Sequence, residues 1–225
     1  MAAREQARPA LGLMTSLPIY WGEPAELADL LNSPADPHWA RSLLEEQFML
    51  IPLDSLGTAE GAPQAELAQL DRLMVAQPRA LTAADNVALD GWVRNGGRLL
   101  LVLDPMMTEH SAYPVGDRRR FNDVALIPPV LERWGLSLGY AGTGASPQIR
   151  FNGVNLPVEE YGVLALRTPA PAAVDCVLKA GGVIAVCRVG GGRALIAADA
   201  AFLNHEDTDL SRRDAARALI QAAFN

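Results

Sequence analysis

Residues 81–105 read LTAADNVALDGWVRNGGRLLLVLDP, a helix, a glycine turn and a buried strand in succession. Thr82 stands where an N-cap belongs, because its hydroxyl can accept from an otherwise unpaired amide of the first turn. Val87, Leu89, Trp92 and Val93 follow at spacings that lay an apolar stripe along one helix face. Asn95-Gly96-Gly97 stops the helix, since Asn and Gly tolerate the left-handed backbone just past a C-terminus. Residues 99–103 are apolar at every position, as a central parallel strand covered on both faces should be. That strand runs into Asp104-Pro105. Ligands of open α/β sheets bind outside the carboxyl ends of such strands, so Asp104 marks the edge where function is expected.

The same alternation extends upstream. Strands are expected at 11–19, 48–53 and 72–76, with helices at 24–31 and 38–47 and a short amphipathic piece carrying Leu67 and Leu70. Downstream, periodicity lapses through a long loop at 104–120, and helix character returns at 122–134 with a kink at Pro128-Pro129. A strand is expected at 136–140, then short strands and turns through 146–160 and 164–168. Strands at 174–178 and 183–189 form a hairpin about Gly181-Gly182, and Gly190-Gly191-Gly192 turns into a strand at 193–198 that ends at Asp199. A helix at 207–224 closes the chain, with Leu210, Ala216, Leu219, Ile220 and Phe224 inward. Strand–helix alternation predicts an α/β fold with a mostly parallel sheet flanked by helices, and the late hairpin adds antiparallel strands at one edge. A length of 225 residues without a repeat or linker fits a single domain spanning 1–225.

Composition narrows the function classes. A formal charge of −7 and a pI near 5.0 disfavour non-specific nucleic-acid binding. No apolar run reaches the length of a spanning helix, and the first fourteen residues make a poor signal peptide. A cytoplasmic location is expected, or a periplasmic one if the chain is detached from a membrane anchor.

The two cysteines, Cys176 and Cys187, fall opposite each other when the hairpin is centred on its glycines, and Asp175 then faces Arg188. Val174, Cys176 and Leu178 would share a face with Ala185, Cys187 and Val189. Counted from a two-residue turn, the cysteine pair lands on a hydrogen-bonded site that accommodates a bridge poorly. Two reduced, buried thiols are expected.

Two segments resemble one family. GGGRALIAADAAFLNHED at 190–207 and LTAADNVALDGWVRNGGRLLLVLDP at 81–105 are similar to segments of gliding-motility-type ABC-transporter auxiliary proteins. That resemblance implies a fold like class I glutamine amidotransferases, close to flavodoxin-like architecture, in which many members lack the catalytic cysteine. It also implies a non-catalytic partner in a transport or assembly complex.

The residues agree with a non-catalytic reading. Amidotransferase chemistry needs a thiolate on a tight strand-to-helix turn with a His base, yet Asp104-Pro105 ends the corresponding strand and both cysteines lie inside strands. Ser16, near the end of the first strand, could touch a ligand, but a turn serine more often serves local amides. Asp104 and Asp199 both follow apolar strands and are expected to converge on one carboxyl edge. Two such carboxylates could hold a divalent cation or act as acid and base, with Glu109 or His205 adding a group. No spacing of ligand residues supports a metal, and no glycine pattern supports a nucleotide, so no metal and no cofactor are expected. Arg118, in the run Arg118-Arg119-Arg120, could grip an anion, and Tyr20, Trp21 and Tyr113 could rim a crevice.

The ligand-binding candidates are therefore Ser16, Trp21, Asp104, His110, Arg118 and Asp199, around a crevice formed by 16–23, 104–120 and the loop after Asp199. The leading expectation is a binding or scaffolding domain. The alternative is a hydrolase or other small-molecule enzyme using Asp104, Asp199 and His110 or His205. An enzyme should gather at least three of these groups within hydrogen-bond reach, whereas a scaffold should leave them scattered.

Overall fold

The short apolar runs become strands and the capped segments become helices. The computed structural model describes residues 8–22, 38–142, 148–204 and 210–225. Its first half holds β1 (Ala10–Thr15), α1 (Trp39–Glu45), β2 (Met49–Pro52), α2 (Ala65–Ala68), β3 (Arg72–Ala76), α3 (Ala83–Arg94) and β4 (Arg98–Val102). The second half holds α4 (Val130–Arg133), β5 (Leu136–Tyr140), β6 (Ile149–Phe151), β7 (Val154–Leu156) and β8 (Gly162–Leu166). It ends with β9 (Val174–Lys179), β10 (Ile184–Val189), β11 (Gly192–Ala197) and α5 (Leu210–Phe224).

Seven strands form the main sheet in the order β2-β1-β3-β4-β11-β10-β9. Pairing is parallel from β2 through β11 and antiparallel from β11 through β9, as the alternation and the late hairpin predict. Strands β5 and β8 pair separately, as do β6 and β7. One face of the main sheet packs Leu11, Met74, Leu100 and Leu195 against Leu43 of α1 and Leu219 of α5. The other packs Leu73, Leu101 and Ile196 against Leu89 and Trp92 of α3 and Trp134 after α4. Leu99, Leu100, Leu101 and Val102 are all fully buried, which explains the unbroken apolar run.

Helix α3 starts where its cap predicts. Thr82 Oγ1 accepts from Asp85 N while the Asp85 carboxylate accepts from Thr82 N, a reciprocal capping box. Its inward face differs from expectation at one end. Val87 points to solvent, and the buried stripe is Ala88, Leu89, Trp92 and Val93 with Asp85, Asn86 and Asp90 among them. The polar members are kept inside by partners. Asp90 accepts from Trp134 Nε1 at 2.8 Å and pairs with Arg94 and Arg133, and Asn86 Oδ1 accepts from Val130 N.

Other boundaries moved for local reasons. The first strand stops at Thr15, whose hydroxyl accepts from Leu17 N, and Gly22 N closes a turn onto Pro18 O. Within 122–134 only Val130–Arg133 is helical, because Ala125 N is committed to Asp104 O and the two prolines supply no amides. The helix expected at 24–31 and the first residues of the closing helix lie outside the described residues.

The cysteines correct the sequence reading. Cys176 and Cys187 are register partners, as are Asp175 and Arg188, but the thiols are joined as a disulfide. Lys179 and Ile184 are the last pair, so the turn spans four residues, with Ala180, Gly181 and Gly182 all at positive φ. A four-residue turn shifts the hydrogen-bonding alternation by one relative to a two-residue turn. The Cα–Cα distance of 4.1 Å at the cysteines is that of a close, non-hydrogen-bonded pair, where a cross-strand bridge fits.

Candidate functional site

The carboxyl ends of β1, β3, β4 and β11 bring Ser16, Gln77, Asp104 and Asp199 to one edge, and each is tied to main chain. Ser16 Oγ donates to Gln77 O and accepts from Asn122 N at 3.3 Å. Gln77, fully buried and at φ 42°, acts as a clamp. Its Oε1 accepts from Asp104 N at 2.8 Å, and its Nε2 donates to Asp104 O and Asn122 O, both at 3.0 Å. The long loop is thereby folded back over the strand ends. Ala125 N donates to Asp104 O and Met107 N to Asp123 O, each at 2.8 Å.

The two aspartates converge as expected. Asp104 Oδ1 accepts from Met106 N and its Oδ2 from Ala200 N. Asp199 Oδ1 accepts from Ala201 N and its Oδ2 from Glu159 N. Glu159 in turn accepts from Thr108 Oγ1 at 2.8 Å and from Arg212 Nη2 at 2.9 Å. Burial pushes the Asp104 carboxyl up to about 6 against the pull of its two amides. Burial, and then the neighbouring Asp104 charge, push Asp199 well above the usual carboxylate range. Among the described residues, no group of three or more His, Cys, Asp or Glu is placed to hold a metal.

The remaining candidates do not join this cluster. Trp21 is 81% exposed and meets Tyr20 edge to face with ring centroids 4.8 Å apart. His110 and Arg118 are exposed. The arginine run is divided: Arg119 forks onto Asp117 and lies over Tyr113, while Arg120 forks onto Asp123. His205 lies outside the described residues. Sequence reasoning missed Gln77 and Glu159; the signal available for Gln77 was a lone polar residue directly after an apolar strand.

An α/β sheet whose carboxyl edge is closed by its own loops defines the class. The chain belongs to the ABC-type uncharacterized transport system family, whose model matches residues 8–142. The auxiliary-protein resemblance is thus upheld at the level of family. No curated protein matches the chain by sequence. Among solved structures it is similar to the N-terminal domain of mmIFT52, at 12% identity and a TM-score of 0.57, over 94% of this chain and 95% of that one. It is also similar to the exo-beta-1,4-mannosidase Op5Man5 from Opitutaceae bacterium strain TAV5, at 15% identity and a TM-score of 0.53, over 97% of this chain. The GH42 beta-galactosidase Gan42B aligns at 13% identity and a TM-score of 0.50 over 96% of this chain. The chain spans 36% of the mannosidase and 30% of the galactosidase. At such identities the likeness is one of fold. No helix among the described residues is long and apolar enough to cross a membrane.

Proposed function

We propose that this chain is a single-domain, non-catalytic binding or scaffolding component of an ABC-type transport assembly, with the glutamine amidotransferase-like or flavodoxin-like architecture of pseudoenzyme relatives. One observation carries the reading: the hydroxyl, amide and carboxylate groups at the carboxyl edge are spent on the chain's own backbone. Groups committed in this way stitch loops together and are poorly placed to meet a substrate. Ser16, Asp104 and Asp199 then serve as internal fasteners, while the exposed Trp21, His110 and Arg118 are the contact residues offered to a partner. The family match supports a transport context.

A periplasmic site is favoured over a cytoplasmic one by the Cys176–Cys187 disulfide, since such bonds persist mainly in oxidising compartments. The raised carboxyls of Asp104 and Asp199 favour a second reading, an acid–base enzyme.

Crosslinking followed by mass spectrometry, in cells that carry the cognate ATPase and permease, tests the first reading against the second. The scaffold predicts crosslinks to a transporter subunit that Trp21→Ala weakens and Asp104→Asn spares. Turnover of a small-molecule substrate that Asp104→Asn abolishes in a folded protein would overturn it.

A further inference from the structure

Three strands open on the same pattern, Arg72-Leu-Met-Val-Ala, Arg98-Leu-Leu-Leu-Val and, one residue in, Arg193-Ala-Leu-Ile-Ala. Parallel pairing sets Arg72 beside Arg98 and Arg98 beside Arg193, and antiparallel pairing sets Arg193 beside Arg188. Register partners project to the same face of a sheet. Four arginines therefore form a row across β3, β4, β11 and β10, about 14 Å long at the usual strand spacing. The row lies on the α5 side, at the end of the sheet opposite Asp104 and Asp199.

Like charges side by side destabilise a sheet unless something offsets them. Among the described residues none of the four makes a salt bridge. Asp175, the register partner of Arg188 on β9, ends the row without ion-pairing to it. Arg98 Nη1 donates to Phe224 O and Arg193 Nε to Ala223 O, so two of the four cap the last carbonyls of α5. Capping leaves the Arg193 Nη2 buried without a hydrogen-bond partner, and it accounts for neither Arg72 nor the exposed Arg188. A cleft of about 430 Å³ opens over Arg98, Arg188 and Arg193, beside the backbone of Gly191 and Gly192.

We propose that this row is an anion site for phosphate-bearing ligands, either a small phosphate ester or an anionic phospholipid headgroup. Guanidinium forks match phosphate oxygens, and three guanidiniums lining one cleft, with no salt bridge among the described residues, suit a group carrying more than one negative charge. The site stands apart from the closed carboxyl edge and does not depend on the reading of that edge.

The test uses inorganic pyrophosphate in calorimetry, and phosphatidylcholine vesicles with or without phosphatidylglycerol in sedimentation. Arg188→Gln is the variant of choice because Arg188 is exposed and touches no α5 carbonyl. Saturable binding of pyrophosphate that this variant weakens at least about tenfold assigns a soluble phosphate ester. Phosphatidylglycerol-dependent sedimentation lost in the same variant, without pyrophosphate binding, assigns a headgroup. Circular dichroism melts of both proteins should coincide. If the wild type binds neither probe, or Arg188→Gln binds as well as wild type, the site is refuted.

Discussion

Asp104 reaches across the seam between β4 and β11: its Oδ2 accepts from the amide of Ala200, the residue that follows Asp199, at 2.9 Å. The pair thus locks two neighbouring strand ends together while holding two acids in a buried space. Between the ordinary aspartate value of 3.8 and the Asp104 value of about 6, the folded state binds more protons than the unfolded one. Stability from this group is therefore greatest at the acid end of that window, falls as pH rises through it, and levels off above about 6. The expected loss is on the order of 2–3 kcal/mol. Urea unfolding of wild type and Asp104→Asn across the window checks this. A wild-type profile no steeper than that of the variant, in which Asp199 still titrates, contradicts it.

Gln77 satisfies the main chain of Asp104 in both directions and holds Asn122 O as well. Gln77→Leu keeps the bulk and strips the clamp's bonds from Asp104 N and Asn122 O, while Asp104 O keeps Ala125 N as a donor. The expected loss is about 3 kcal/mol, with faster hydrogen exchange across 104–125. An unchanged exchange pattern in that loop would show that the clamp does not hold it.

The disulfide fastens the edge strand β9 to β10 across a sequence separation of 11. Replacing both cysteines by alanine should cost about 2–3 kcal/mol. Alkylation in intact cells checks the compartment independently. Thiols that become reactive only after reduction accord with an oxidising location, and thiols labelled without reduction speak against it.

Two glycines should respond in opposite directions. A Cβ on Gly192 would stand 1.9 Å from Val93 O and 2.5 Å from Gly97 O, all backbone, so Gly192→Ala should destabilise by about 2–3 kcal/mol. Gly91 lies within α3 with nothing inside 4 Å of an added Cβ, so Gly91→Ala should stabilise by about 0.5–1 kcal/mol. Parallel denaturation curves give both values.

What the sequence revealed was what depends on neighbours along the chain. The Thr82 cap, the glycine stop after Arg94, the all-apolar β4 and the hairpin register are short-range features, and each was readable. So was the convergence of Asp104 and Asp199, because strand ends in a parallel sheet share an edge. The turn length at 180–183 was not readable, since Ala180 adopts φ 53° without the glycine that usually signals it, and the fate of the cysteines followed from that turn. Val87 fits a helical stripe by spacing, but Asn86 and Asp90 displaced it once Val130 and Trp134 supplied their partners. The Gln77 clamp joins segments up to 45 positions apart, and no local pattern encodes it.

The strand order has a practical corollary for anyone trimming this protein. The family match ends at residue 142, whereas β4 is covered on its far side by β11, which begins at Gly192. Cutting at the end of the matched stretch would strip that cover and expose a ladder of unsatisfied amides and carbonyls along Leu99–Val102. A bare greasy border of this kind recruits other chains, so such a fragment should clump in the test tube.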